Sequence, residues 1–136
     1  TRDWSSDVCS SDLRIQSSDF TCHTPNNSIL AVRVSGSAPF DPDLLAPFAS
    51  AIVLDAFVPG EYGGTGKLID WDLAAEIVYR SSRRVILAGG LNPDNVHDAD
   101  LRVKPYAVDV SSGVESSHRI KDHGKIRAFI AAATSA

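Results

Sequence analysis

Polar or glycine residues follow apolar runs at recurring places in this chain: Arg33-Val34-Ser35-Gly36, Asp55, Gly89-Gly90 and Asp109-Val110-Ser111-Ser112-Gly113. Gly89-Gly90-Leu91 leads straight into Asn92-Pro93, an N-cap and first-turn proline pair. Backbone N–H groups and a positive helix end there face an anion with no Cβ in the way. Ser111-Ser112-Gly113 offers the same chemistry from a later loop. A single glycine pair more commonly serves a turn than a phosphate, but two small-residue loops after consecutive strands point to phosphate binding. Asp55 closes an apolar run at the edge of a low-dielectric pocket, the setting of a general acid, with a solvated strand-end carboxylate as the competing reading. Asp109 lies inside an apolar run and is either a hydrogen-bonded structural carboxylate or a ligand contact.

Other candidates fail on spacing. Gly63-Gly64-Thr65-Gly66-Lys67 invites a phosphate-loop reading, yet Glu61 stands where the first glycine belongs and Leu68 where a magnesium-binding hydroxyl belongs. A loop reaching over the site is the plainer reading. His118, Asp122 and His123 share no strand or helix spacing, so they read as surface residues, and His23 and His97 fall in loop or helix-surface contexts. Cys9 and Cys22 lack the CxxC spacing of a zinc or redox pair and read as reduced thiols. Neither a metal nor a cofactor is expected.

These groups need elements to place them. Residues 29–34, 51–54, 84–88 and 106–110 read as strands, rich in Val and Ile and apolar on both faces, as parallel strands covered on two sides are. Between them lie helix patterns. Asp41 precedes Pro42 and a short Leu44-Leu45-Phe48 face; Asp70 precedes residues 71–80, with apolar positions at Trp71, Ala74, Ala75 and Val78; Asn92-Pro93 opens a third; and residues 125–133 close the chain. The alternation predicts right-handed βα units on a parallel sheet, an α/β fold with about four such units, half of an eightfold βα barrel. A complete barrel needs at least ~200 residues, against 136 here. In such folds the site lies where the strands end, which is where the polar and glycine residues fall.

The opening 13 residues, TRDWSSDVCSSDL, repeat Ser-Ser-Asp without helical or strand period and resemble translated sequencing-adapter read-through. Residues 14–28 are polar, with a turn at Pro25-Asn26-Asn27. Residues 1–28 are therefore expected to stand apart from a partial-barrel domain at 29–136. Seventeen acidic against 13 basic residues, a net charge of −4, give no footprint for nucleic acid or anionic membrane. No apolar run approaches a membrane span, and a cytoplasmic protein is expected.

Three stretches carry a resemblance when read in order: Ile52-Val53-Leu54-Asp55 with Gly63-Gly64-Thr65-Gly66 and Ile69-Asp70-Trp71; Leu87-Ala88-Gly89-Gly90-Leu91-Asn92-Pro93-Asp94-Asn95-Val96; and Val108-Asp109-Val110-Ser111-Ser112-Gly113-Val114-Glu115 with Lys121-Asp122. Together, over about residues 29–130, they resemble phosphoribosylanthranilate isomerase, a (β/α)₈-barrel enzyme of tryptophan biosynthesis. The resemblance implies an Amadori rearrangement of N-(5-phosphoribosyl)anthranilate to 1-(2-carboxyphenylamino)-1-deoxyribulose 5-phosphate, without cofactor or metal. It implies that Asp55, at the end of the sixth strand, protonates the furanose oxygen, and that Gly89, Gly90, Ser111, Ser112 and Gly113 hold the phosphate. Arg33, on the segment resembling the fifth strand, and Asp109 are the candidate substrate contacts.

The family's general base is a cysteine on a first strand that has no counterpart here, and neither Cys9 nor Cys22 stands in its Lys-Ile-Cys-Gly setting. The expectation is an isomerase half barrel with little activity alone. Its outer strands would leave unpaired edges open to self-association. Two alternatives remain: another phosphate-binding barrel, such as an epimerase or a tryptophan synthase α relative, and a non-catalytic phosphate-binding half barrel.

Overall fold

A computed structural model of the chain describes residues 29–34, 49–56 and 69–135. Four strands, β1 (Ile29–Val34), β2 (Ala51–Ala56), β3 (Arg84–Leu87) and β4 (Ala107–Val108), form one parallel sheet in the order β1-β2-β3-β4. Helix α1 (Trp71–Arg80) lies between β2 and β3, α2 (Val96–Val103) between β3 and β4, and α3 (His123–Thr134) follows the sheet.

Each strand divides its residues between two faces. Ile52, Leu54, Val85 and Leu87 are fully or almost fully buried and pack with Leu73, Ala74 and Ile77 of α1, Val96, Ala99 and Val103 of α2, and Phe129 of α3. Burying each of the Val, Leu, Ile and Phe side chains stabilises by about 1.5–3 kcal/mol, so this layer holds the fold. The alternate residues Ala31, Val53 and Asp55 line a cleft on the other face.

Helix α1 begins where its cap predicts: the Asp70 carboxylate accepts from the N–H groups of Asp72 (2.9 Å) and Leu73 (3.3 Å). Its buried stripe differs from the expected one. Leu73 and Ile77 flank Ala74 at the centre, while Trp71 and Val78 pack at the margin and Ala75 is half-buried. Positions 73, 74 and 77 fall within one arc of the helix surface, and that arc packs on the core, so placement on the helix decides burial here and side-chain size does not. Asp72 and Arg102 then tie α1 to α2 through a two-pronged bond of 2.9 and 2.7 Å.

The other boundaries need correction. Helix α2 opens at Val96 with Asn95 as its cap residue, not at Asn92-Pro93. The Asn92 side chain instead accepts from Asp94 N–H at 2.8 Å and makes a turn that delivers the chain to the helix. Strand β4 is shorter than residues 106–110, although Tyr106 N–H to Val85 O and Asp109 N–H to Leu87 O, both 2.8 Å, extend its pairing at either end. Helix α3 starts at His123, capped by Asp122, rather than at residue 125. A short antiparallel ribbon, β5 (Glu115–Ser117) with β6 (Ile120–Lys121), forms a separate two-stranded sheet that the sequence did not announce. The expected helix from Asp41-Pro42, the glycine loop at 63–67 and residues 1–28, with Cys9, Cys22 and His23, lie outside the described residues.

Candidate functional site

Register brings the strand ends level. Arg33 pairs with Asp55, Leu54 with Leu87, and Leu87 with Val108. One residue further along, Asp55, Ala88 and Asp109 therefore share a row at the carboxyl edge of the sheet. A cleft of ≈ 120 Å³ opens there, and Asp55, Gly89, Gly90, Asp109, Ser111, Ser112 and Gly113 all line it, with apolar Ala31, Val53 and Leu91 among its walls. Arg33 enters the row by its backbone register, and its side chain lies outside the description.

Asp55 is half-buried, and its Oδ1 accepts the N–H of Ala56 at 2.9 Å. That bond fixes the carboxylate and leaves Oδ2 without a hydrogen-bond partner among the described residues. Asp109 is exposed and stands just beyond β4, a correction to its placement inside a strand, because the ladder ends at Val108. Its backbone is held by Leu87 O, so its position is set by β3.

The first loop is shaped by backbone freedom and by one asparagine. Gly89 and Gly90 take φ of 86° and 68°, in the left-handed region that glycine adopts without steric cost. A Cβ at Gly89 would sit 2.8 Å from Ala56 N and 3.1 Å from Asp55 Oδ1, so the loop's approach to the carboxylate depends on glycine. Asn95 spans the loop: its Oδ1 accepts from Asn92 N–H at 2.8 Å, and its Nδ2 donates to Gly90 O at 3.1 Å.

Gly113 brings the second loop against the first, since a Cβ there would overlap the Leu91 carbonyl oxygen. The chain then makes a single 3-10 turn, Ser112–Val114, before entering β5. Behind this loop Lys121 bonds to Ser111 O (2.8 Å) and to Glu115 Oε1 (2.9 Å). The hydrogen bond from Lys121, with a second from Arg119 N–H, holds the Glu115 carboxyl below its ordinary value. Asp122 is likewise held below its ordinary value by the N–H groups of Lys125 and Gly124 at the start of α3.

None of the described residues lining the cleft is a cation; two are carboxylates. Among the described residues, the groups placed to hold an anion there are backbone N–H groups and hydroxyls of the two loops. Among the described residues no group of three or more His, Cys, Asp or Glu is placed to hold a metal ion. His118 and His123 are exposed, and Asp122 is engaged as the α3 cap. The supporting residues Asn95 and Lys121 were not singled out from chemistry in the sequence. An asparagine three residues after Asn92 carries a weak signal for the first, and nothing local signals the second.

Comparison with known proteins agrees with this geometry. The family model for N-(5'phosphoribosyl)anthranilate (PRA) isomerase matches residues 33–132. The isomerase of Roseiflexus castenholzii is 61% identical over 85 residues, covering 62% of this chain and 39% of that protein. The crystal structure of the Thermus thermophilus isomerase superposes with a TM-score of 0.65 at 35% identity, covering 80% of this chain and 50% of its own. Another solved isomerase, in complex with reduced 1-(o-carboxyphenylamino)-1-deoxyribulose 5-phosphate, superposes with a TM-score of 0.57 at 38% identity, covering 79% of this chain and 48% of its own. The chain thus spans about half the length of the solved structures it matches, and its parallel strands form part of their barrel.

Proposed function

Because this chain belongs to the N-(5'-phosphoribosyl)anthranilate isomerase family, we propose that it supplies the general acid and the phosphate grip for the Amadori rearrangement of N-(5'-phosphoribosyl)anthranilate in tryptophan biosynthesis. The observation that carries this reading is that Asp55, the Gly89-Gly90 loop and the Ser111-Ser112-Gly113 loop line a single cleft. The substrate's phosphate rests on the N–H groups of Gly89-Gly90 and Ser111-Ser112-Gly113, which leaves the ribose ring over Asp55. Asp55 gives its proton to the furanose oxygen as the C1–O bond breaks, and the anilino nitrogen lone pair forms the iminium. Removal of the C2 proton then gives an enolamine, which becomes the ketone product as C1 is protonated. Asp109 and Arg33 contact the substrate from the same row.

The base for the C2 proton comes from outside the matched half, so turnover needs a second half barrel. General acid–base groups contribute about 10²- to 10⁴-fold each, which makes the chain by itself a poor catalyst. Residues 29–136 form the catalytic half-domain, with 1–28 outside it. The outer edges of β1 and β4, unpaired among the described residues, would take a partner half barrel or a second copy of the chain. No helix among the described residues is long and apolar enough to cross a membrane, and we place the activity in the cytoplasm, on a small sugar phosphate, with neither nucleic acid nor cofactor. The test is turnover followed by anthranilate fluorescence, with the N-terminal half of a family member supplied in trans. Activity on complementation that Asp55→Asn abolishes supports the proposal; activity that survives Asp55→Asn refutes it.

A second reading, phosphate binding without catalysis, is favoured by one observation: apart from its two carboxylates, the cleft has no histidine, cysteine or lysine among its described lining residues to move a second proton. Sugar-phosphate binding with no turnover under any complementation would select it.

A further inference from the structure

We propose that Lys121 is a positioning residue for the second phosphate loop, holding the Ser111 carbonyl so that the following N–H groups are presented to the anion. This rests on reading Ser111-Ser112-Gly113 as a phosphate loop. The β5–β6 ribbon exists at this point because Glu115 pairs in register with Lys121. That pairing brings the Lys121 ammonium to Ser111 O at 2.8 Å, Glu115 Oε1 at 2.9 Å and Ser111 Oγ at 3.5 Å. Glu115 is itself fixed on both sides: its Oε2 accepts from Arg119 N–H at 3.0 Å, and its carbonyl accepts from Lys125 Nζ at 2.7 Å.

A phosphate dianion only accepts hydrogen bonds, so a loop that binds it must turn its carbonyl oxygens elsewhere. In the first loop Asn95 engages Gly90 O. In the second, Lys121 does the same for Ser111 O and adds a charge-assisted bond. Because Glu115 pairs with the ammonium, Lys121 acts through loop geometry more than through net charge. Partly exposed single pairs of this kind contribute at most about 1 kcal/mol to global stability. Its removal is therefore felt mainly at the loop and only slightly in the melting temperature.

The experiment is a titration of the whole 136-residue chain with inorganic phosphate, read by amide NMR, on wild type, Lys121→Met and Lys121→Arg, with thermal melting alongside. Wild type is expected to show saturable shifts at Gly89, Gly90, Ser112 and Gly113. Lys121→Met is expected to bind about tenfold more weakly, the scale of one lost charge-assisted bond. Its amides at 111–113 should move before any phosphate is added, with melting only slightly changed. Lys121→Arg, which keeps donors within reach of the same acceptors, is expected to restore most of the affinity. Equal affinity in Lys121→Met and wild type overturns the proposal, and so does a Lys121→Arg variant as weak as Lys121→Met. Absence of saturable shifts in wild type overturns the phosphate reading instead, and the resonances at 111–113 in Lys121→Met tell that failure apart from failure of the lysine contact.

Discussion

The two faces of the sheet are built from alternate residues of the same strands and serve opposite ends. Ile52, Leu54, Val85 and Leu87 lie beneath the helices at 0–1% exposure, while Asp55 in the next position is half-buried beside Gly89, at the edge of an open cleft. On the first face side chains are chosen for volume and on the second for chemistry. A substitution should therefore damage either folding or function according to its parity along the strand.

The sharpest way to break that division is Asp55→Asn. Turnover of the complemented enzyme is expected to fall by about 10²- to 10⁴-fold, with a melting temperature close to wild type, as kinetics beside calorimetry would show. A large loss of stability would mean that Asp55 belongs to the structural face. Leu87→Ala is the converse. It opens a cavity in the core that Leu87 shares with Leu54, Ile77 and Val96 and should cost about 2–5 kcal/mol in denaturant unfolding, while phosphate affinity of the molecules that remain folded stays near wild type. Gly113→Ala joins the two effects. Its Cβ overlaps the Leu91 carbonyl oxygen, so the loops must separate, and phosphate affinity should fall by about tenfold or more for a cost of roughly 1–3 kcal/mol in stability.

Smaller effects lie at the rim. Glu115 and Asp122 are both held below their ordinary values when folded, by Lys121 and by the N–H groups at the start of α3 respectively. Groups with depressed pKa add stability that is fully present above the unfolded value and is lost as pH falls through the folded one. As pH falls below the ordinary carboxyl values of about 4, amide exchange in the β5–β6 ribbon and the first turn of α3 should therefore quicken before exchange in β2 and β3. Lys104 ends α2 in the left-handed region at φ 54°, with its N–H bonded to Asp100 O at 2.8 Å. Lys104→Gly should raise stability by roughly 0.5–1 kcal/mol, the relieved strain less the added freedom of the unfolded chain.

The sequence disclosed the parts of this arrangement that are set locally. Apolar runs marked β1 to β3, Asp70 marked the start of α1, and the glycine pairs marked the loops because backbone conformation there excludes side chains. It was weaker where an outcome depends on what a residue meets across the fold. Asn92 carried every local sign of a helix cap, yet Asn95 takes the cap position and Asn92 makes the turn before it. The β5–β6 ribbon is short and polar, so no periodicity announces it, and Lys121 reaches Ser111 only because that ribbon folds back. Asp109 read as a strand residue because its neighbours are apolar, whereas β4, which pairs with β3 alone among the described residues, stops at Val108. Gly113 was legible as a glycine-rich position, but the reason for it, the Leu91 carbonyl, is a tertiary contact.

The most direct measurement of the central claim is a crystal structure of this chain assembled with a complementary N-terminal half and soaked with the reduced product analogue. The phosphate is expected on the N–H groups of the Gly89-Gly90 and Ser111-Ser112-Gly113 loops. An Asp55 carboxylate oxygen is expected within hydrogen-bond distance of the C4 hydroxyl, the former ring oxygen. A phosphate seated elsewhere, or an Asp55 turned from the sugar while another acid meets that hydroxyl, would contradict that claim.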